Sequence, residues 1–297
     1  DETNRLAMGL NNLGMVTDAT WLDYDSDDDL DLVVVGEWMP IVLFKNNGTN
    51  LERLNNVPGL TQTEGWWRSI YPFDINQDGN MDLIAGNFGL NTRYKSSINQ
   101  PFHMFLNDFD KNGVMESIYA YYHQDSLYPM ALRHDMIGQM PSLKKKYVHY
   151  HQYAGQTVSQ IFSKSLLEDS YQNKIYQLAS VAIINHGDGH FTLQPLPSPV
   201  QWSPVYTILA HDFNHDGKDE LFIGGNFSGV KPEEGRYDAN KGILLSLQND
   251  KFHVIDHRIT GLNIAGDMKK SAVLKSTGNK KYLVVARNNQ ELAIYEF

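Results

Sequence analysis

The sequence has no cysteine, no run approaching 18 apolar residues and no excess of basic side chains. Each absence excludes something. Without Cys there is no disulfide framework, and zinc loses its preferred thiolates. Export stays open, because exported chains do not require Cys. Without a long apolar run, nothing crosses a bilayer as a helix. With 25 Lys and Arg against 35 Asp and Glu, the formal net charge is −10. That argues against a nucleic-acid partner, which needs a basic face. A Gly-x-Ser-x-Gly nucleophile elbow and a phosphate-binding glycine loop are also missing. The sequence starts at Asp1 rather than Met and carries no signal peptide. It therefore reads as a mature or fragmentary chain whose targeting segment lies out of view.

What the chain does have is one spacing of oxygen side chains written four times. The copies are Asp23-Tyr-Asp25-Ser-Asp27-Asp28-Asp29-Leu-Asp31, Asp74-Ile-Asn76-Gln-Asp78-Gly79-Asn80-Met-Asp82, Asp108-Phe-Asp110-Lys-Asn112-Gly113-Val114-Met-Glu116 and Asp212-Phe-Asn214-His-Asp216-Gly217-Lys218-Asp-Glu220. Each has Asp at position 1, Asp or Asn at 3 and 5, and a carboxylate at 9. Calcium takes six to eight oxygens, and a tight loop can turn positions 1, 3 and 5 toward one ion. Gly at position 6 permits the left-handed turn this wrapping needs. The first copy has Asp28 there instead. The backbone carbonyl of position 7 (Asp29, Asn80, Val114, Lys218) and the position-9 carboxylate complete the expected shell. Up to four calcium ions are expected, and they would bring the net charge to about −2. Magnesium would want stricter octahedral geometry and more water.

An EF-hand is excluded. Its bidentate Glu at position 12 is replaced by Val34, Ala85, Tyr119 and Ile223. In three copies a short apolar run ended by Gly follows: Leu32–Gly36, Leu83–Gly86 and Leu221–Gly225. These read as buried strands, not as an exiting helix. The plainer reading, that Asp/Asn/Gly clusters only make polar turns, explains one copy more easily than four with position 9 retained.

The loops start at 23, 74, 108 and 212, in steps of 51, 34 and 104 residues. A period near 50 suggests propeller blades, with 104 as a doubled step. Hairpins are expected at Leu43–Gly48, Ile183–Phe191, Leu245–Phe252 and Tyr282–Tyr295. The expectation is an all-β propeller of about four or five blades across 1–297, with a helical insertion at about 127–181. In that insertion Pro141 suits a first helical turn, and Thr157-Val-Ser-Gln160 suits a capping box.

These residues resemble the FG-GAP/VCBS repeats of calcium-binding β-propellers, the repeat also seen in integrin α heads. Gly65-Trp-Trp-Arg-Ser-Ile70, Gly86-Asn-Phe-Gly-Leu-Asn-Thr92, Ala131–Asp135, Pro141–Lys146, Gly225–Glu233 and Gly235–Asp238 resemble the branch of bacterial surface proteins associated with ASPIC/UnbV-type domains. The resemblance implies a ring of about seven blades, of which this chain would be the C-terminal part. It implies an extracellular or outer-membrane surface location, peripheral to the membrane, with a lipid anchor in an N-terminal part outside this sequence. The implied role is binding a protein partner or a glycan, without catalysis.

Other constellations point elsewhere. The pairs His149/His151, His186/His190 and His211/His215 lack a third zinc ligand in sequence. Glu233, Glu234 and Asp238 could pair as glycosidase carboxylates, and Lys231, Arg236 and Tyr237 could serve a calcium-dependent polysaccharide lyase. A solvated loop explains both sets as well. Trp38, Trp66, Trp67 and Trp202 could stack on sugars or fill space between blades. Lys144, Lys145 and Lys146 read as a solvated helix face. A lyase and an adhesin that binds through a calcium-bridged carboxylate stand as the alternatives to a binding module.

Overall fold

The computed structural model describes residues 1–278 and 280–297. Strand accounts for 38% of the chain and helix for 15%, so antiparallel sheet dominates. Two compact units form: residues 1–93 with 178–297, and residues 94–177.

The first unit holds four antiparallel sheets. Sheet one joins β1 (Met15–Leu22), β2 (Asp31–Met39), β3 (Val42–Asn46) and β4 (Leu51–Arg53), with β5 (Gly65–Trp66) also paired to β2. Sheet two starts with β6 (Ser69–Pro72) and β7 (Leu83–Gly86). The chain then leaves to build the second unit from β8 (Phe102–Asn107), β9 (Glu116–His123), β10 (Ser126–Pro129) and β11 (Tyr171–Ile175). It returns to finish sheet two with β12 (Val181–Asn185) and β13 (Phe191–Pro195), where Ile183 pairs with Leu83. Sheet three is β14 (Val205–His211), β15 (Glu220–Gly225), β16 (Ile243–Gln248) and β17 (Lys251–Val254). Sheet four is β18 (Met268–Lys275), β19 (Lys281–Arg287) and β20 (Ala293–Glu296).

This topology corrects the doubled repeat. The step from Asp74 to Asp212 is 138 residues, and 84 of them belong to the second unit. Removing those leaves 54, close to the 51 of the first step. The third loop is not in series with the other three. It belongs to a separate sheet whose strands fall, in chain order, after β7 and before β12. The expected hairpins are the β3–β4, β12–β13, β16–β17 and β19–β20 connections.

The second strands of sheets one to three carry continuous apolar runs, Leu32–Val35, Leu83–Ala85 and Leu221–Ile223, because both their faces are covered. Val33 and Val35 pack with Ile70, Leu83, Val181 and Ile183, between sheets one and two. Ile84, Ala182 and Ile184 face Val205, Leu221 and Ile223, between sheets two and three. Phe222 and Leu244 face Met268, Leu283 and Val285, between sheets three and four. A strand buried on both faces reads as a continuous hydrophobic run. The first strands of the sheets adjoin in order, β1 beside β6, β6 beside β14 and β14 beside β18.

In the second unit the order is β10-β9-β8-β11. One face carries Phe105, Ile118 and Ala120 against Met136, Met140, Tyr147, Tyr153, Ile161 and Phe162. Short helices supply those partners. They lie at Arg133–Gln139, Tyr150–Tyr153, Val158–Ile161 and Lys164–Glu168, within the segment where helices are expected. Thr157 and Gln160 form the expected capping box, and Pro141 opens a 3-10 turn. The helices thus cover a sheet of their own, and the whole unit, 94–177, is wider than the 127–181 of the sequence reading.

Candidate metal centres

Every loop joins two adjacent antiparallel strands: β1 to β2, β6 to β7, β8 to β9 and β14 to β15. The four share one internal wiring. The position-1 carboxylate accepts from backbone N–H groups inside its own loop. Asp23 takes Asp27 and Asp28, Asp108 takes Asn112 and Gly113, Asp212 takes Asp216 and Gly217, and Asp74 takes Gly79, all at 2.8–3.2 Å. Position 5 accepts from the N–H of position 7: Asp29 to Asp27, Asn80 to Asp78, Val114 to Asn112 and Lys218 to Asp216. Position 9 accepts from the N–H of position 2: Tyr24 to Asp31, Ile75 to Asp82, Phe109 to Glu116 and Phe213 to Glu220.

The chain turns left-handed twice in each loop. Position 6 does so at Gly79, Gly113 and Gly217, with φ of 87–89°, and at Asp28, with φ 67°. A Cβ on any of those glycines would meet nothing within 4 Å. Gly is favoured there for its backbone freedom, not for space. Position 4 is also left-handed, at Ser26, Gln77, Lys111 and His215. Sequence reasoning does not anticipate this, since no glycine marks it.

The position-9 carboxylates Asp31, Asp82, Glu116 and Glu220 are all buried. Burial pushes each of them above the usual carboxylate range. A buried carboxylate wants a compensating cation or hydrogen bonds. In loops one and two the second oxygen finds a further N–H on the third strand of the sheet, Asn46 for Asp31 and Asn185 for Asp82, both at 2.7 Å. Asn185 also donates its side-chain amide to the carbonyl of Tyr24 at 2.8 Å, joining sheet two to loop one. In loop four Glu220 Oε1 accepts from the Asn214 amide at 2.7 Å. In loop three Glu116 Oε1 has no partner.

Among the described residues of the loops, three further carboxylate oxygens are buried without a partner, Asp25 Oδ1, Asp74 Oδ1 and Asp110 Oδ1. They stand at positions 1 and 3, where the spacing argument puts metal ligands. Among the described residues, two carboxylate groups converge within 4.8 Å: Asp23/Asp25/Asp27 and Asp108/Asp110/Glu116. The donors are carboxylate, amide and carbonyl oxygens, a set that fits a hard cation such as calcium. No His joins either group. His149 stacks on His151, and His186 on His190.

Loop one differs in holding an internal cation. Lys45 Nζ pairs with Asp25 Oδ2 and lies 3.1 Å from Asp27 Oδ2. Asp25 first, then Asp27, holds this ammonium more firmly protonated than usual, and Lys45 in turn lowers Asp27. Lys45, Asn46 and Asn185 are all missing from the sequence reading. The available signal is the Asn-x-Gly of Asn46–Gly48 and Asn185–Gly187, where each Asn side chain also accepts from the Gly N–H at 3.0 Å.

The tryptophans divide. Trp67 is fully buried and donates to the carbonyl of Thr63, Trp38 and Trp66 pack edge to face, and Trp202 is half exposed. A cleft of about 1090 Å³ runs between loops two and four, lined by Tyr71, Phe73, Asp74, Asn76, Asn214 and Asp216 among others. Glu233 and Glu234 lie on an exposed 3-10 turn. No helix among the described residues is long and apolar enough to cross a membrane.

A search of curated proteins finds no match for this chain. The model of the FG-GAP-like repeat matches residues 23–85, from the first residue of loop one to the strand that follows loop two, and this supports the FG-GAP repeat family.

Proposed function

We propose that this chain is a calcium-stabilised, non-enzymatic binding module of a bacterial cell-surface protein, with its four large-unit sheets arranged as propeller blades. The observation that carries the reading is the repeated sheet-and-loop unit with its buried position-9 carboxylate. The blade arrangement is supported by contacts among the first strands. Ile70 N donates to Asp18 between β6 and β1, and Ser69 Oγ to the carbonyl of Val205 between β6 and β14. Thr207 and Ser271 hydroxyls meet at 2.7 Å between β14 and β18, and Lys270 Nζ comes within 3.7 Å of Asp18 Oδ1 on β1. A circuit of first strands is what blades around an axis would make.

In this reading each ion ties the end of a first strand to the start of the second, using aspartates at positions 1, 3 and 5 and the carboxylate at 9. The ion supplies charge compensation and order, and the chain supplies a rigid surface. The ligand is a protein partner or a glycan at the cell surface. The cleft between loops two and four favours a glycan, because it sets aromatic Tyr71 and Phe73 beside oxygen-rich loops. The test is a glycan array and a pull-down from outer-membrane extract, both in calcium, with Asp74→Ala as control. Retention that depends on calcium supports the module. No retention in either, with release of unsaturated ends from uronic-acid polymers, would make the chain a lyase instead.

A further inference from the structure

The three loops of the large unit occupy equivalent places, so their surroundings can be compared by strand register. Position 10 of each loop is Leu32, Leu83 or Leu221, and these pair with Phe44, Ile183 and Leu245 on the third strand. The residue after each partner is Lys45, Ile184 or Ser246. Only the first can carry charge. Its ammonium pairs with Asp25 and lies 3.1 Å from Asp27, and it stands 5.9 Å from the Tyr24 ring. Asp25 and Asp27 are positions 3 and 5, the side chains that face the ion in a calcium loop. Loop one also departs at position 6, where Asp28 takes the left-handed turn that Gly takes elsewhere. Both oxygens of Asp31 are satisfied by backbone N–H groups. Loop one therefore has the position 1, 5 and 9 wiring that all four loops share, with a cation already in it.

We infer that Lys45 is the resident cation of loop one, so that this loop keeps its shape without metal and takes calcium only when the Lys45 ammonium is displaced. A lysine suits the task. It is a compact point charge on a flexible stem, able to reach in and to withdraw. One positive charge compensates two carboxylates less fully than a divalent ion does, so high calcium competes with it. The large unit would then have one metal-independent loop beside two that need the ion. This inference rests on the calcium reading of the other loops.

Lys45→Met tests it, with Lys45→Arg as the charge-retaining control. Calcium ions are counted by native mass spectrometry, and melting is followed in chelator. Wild type and Lys45→Arg should hold one ion fewer than Lys45→Met, whose added site should bind about tenfold tighter than loop one of wild type. In chelator Lys45→Met should melt about 4 °C lower, because Asp25 and Asp27 lose the ammonium that pairs with them. An unchanged ion count in Lys45→Met would overturn the inference, as would an unchanged melting temperature in chelator. If no variant binds calcium, the calcium reading fails by itself. The metal-free melting difference then decides the role of Lys45, a lower value for Lys45→Met upholding it and equal values ending it. Should Lys45→Met not fold, Lys45→Gln gives the same contrast with a polar side chain of similar reach.

Discussion

Loop two and loop three have the same spacing and the same left-handed turns, yet they treat their buried carboxylate in opposite ways. Asp82 gives one oxygen to Ile75 N–H and the other to Asn185 N–H, on a strand more than 90 residues further along the chain. Glu116 gives one oxygen to Phe109 N–H and leaves the other buried and alone, beside an equally unpartnered oxygen of Asp110. The other oxygen of Asp110 accepts from the Ser142 hydroxyl at 3.4 Å. The difference follows from topology. Loop two has a third strand, β12, beside it to supply an N–H, whereas at loop three the neighbour of β9 away from β8 is the short β10, whose register ends at Ala120 and does not reach Glu116. The lesson is that one motif can serve mainly as a backbone clamp in one sheet and mainly as a metal seat in another.

The largest expected effect breaks the clamp. Asp82→Ala strands two buried N–H groups, each costing about 1–3 kcal/mol. It should therefore lower stability by about 3–5 kcal/mol even in chelator, as read by denaturant unfolding. Dependence on calcium alone would show that the clamp is secondary to the metal.

Next comes a test within the second unit that does not involve the loop. His103 on β8 is buried, with neither ring nitrogen partnered, against Phe105 and Tyr122. Burial, aided by Lys174, lowers it to about 4. Below its ordinary value near 6.5 the unfolded chain takes up a proton that the folded unit refuses. Stability therefore falls as pH drops from about 6.5 to about 4, by at most about 3 kcal/mol. His103→Leu should flatten that slope in melting curves across the same pH range. An unchanged slope would place the acid sensitivity elsewhere.

Glu116→Gln sharpens the comparison directly. The amide keeps an acceptor for Phe109 N–H but removes the charge. In calcium it should cost about 2 kcal/mol, and in chelator nothing, because an uncompensated buried carboxylate has been neutralised. Equal losses in both conditions would deny loop three its metal. The smallest effect is in loop one. Asp28→Gly removes a left-handed side-chain residue and should gain about 0.5–1 kcal/mol, seen as a small rise in melting temperature.

How much of this was legible beforehand follows from the range of each interaction. The loops, their hairpins and the short helices rest on local chemistry, with Asp and Asn oxygens, turn residues and a capping box within a few positions of one another. The split of sheet two was not legible. It depends on β12 finding β7 across an 84-residue unit, and nothing near Leu83 or Ile183 announces that pairing. The same applies to Asn185, which reads locally as the start of a turn and is also the second donor to Asp82. Lys45 reads as an ordinary strand lysine until the register sets it over Asp25 and Asp27.

The most direct test of the account is a calcium count on the native protein by mass spectrometry, paired with melting curves in calcium and in chelator. The account predicts three tightly held ions, one each in loops two, three and four, and a clearly lower melting temperature in chelator. No bound calcium together with identical melting curves would contradict it, and would leave the four loops as hydrogen-bonded turns.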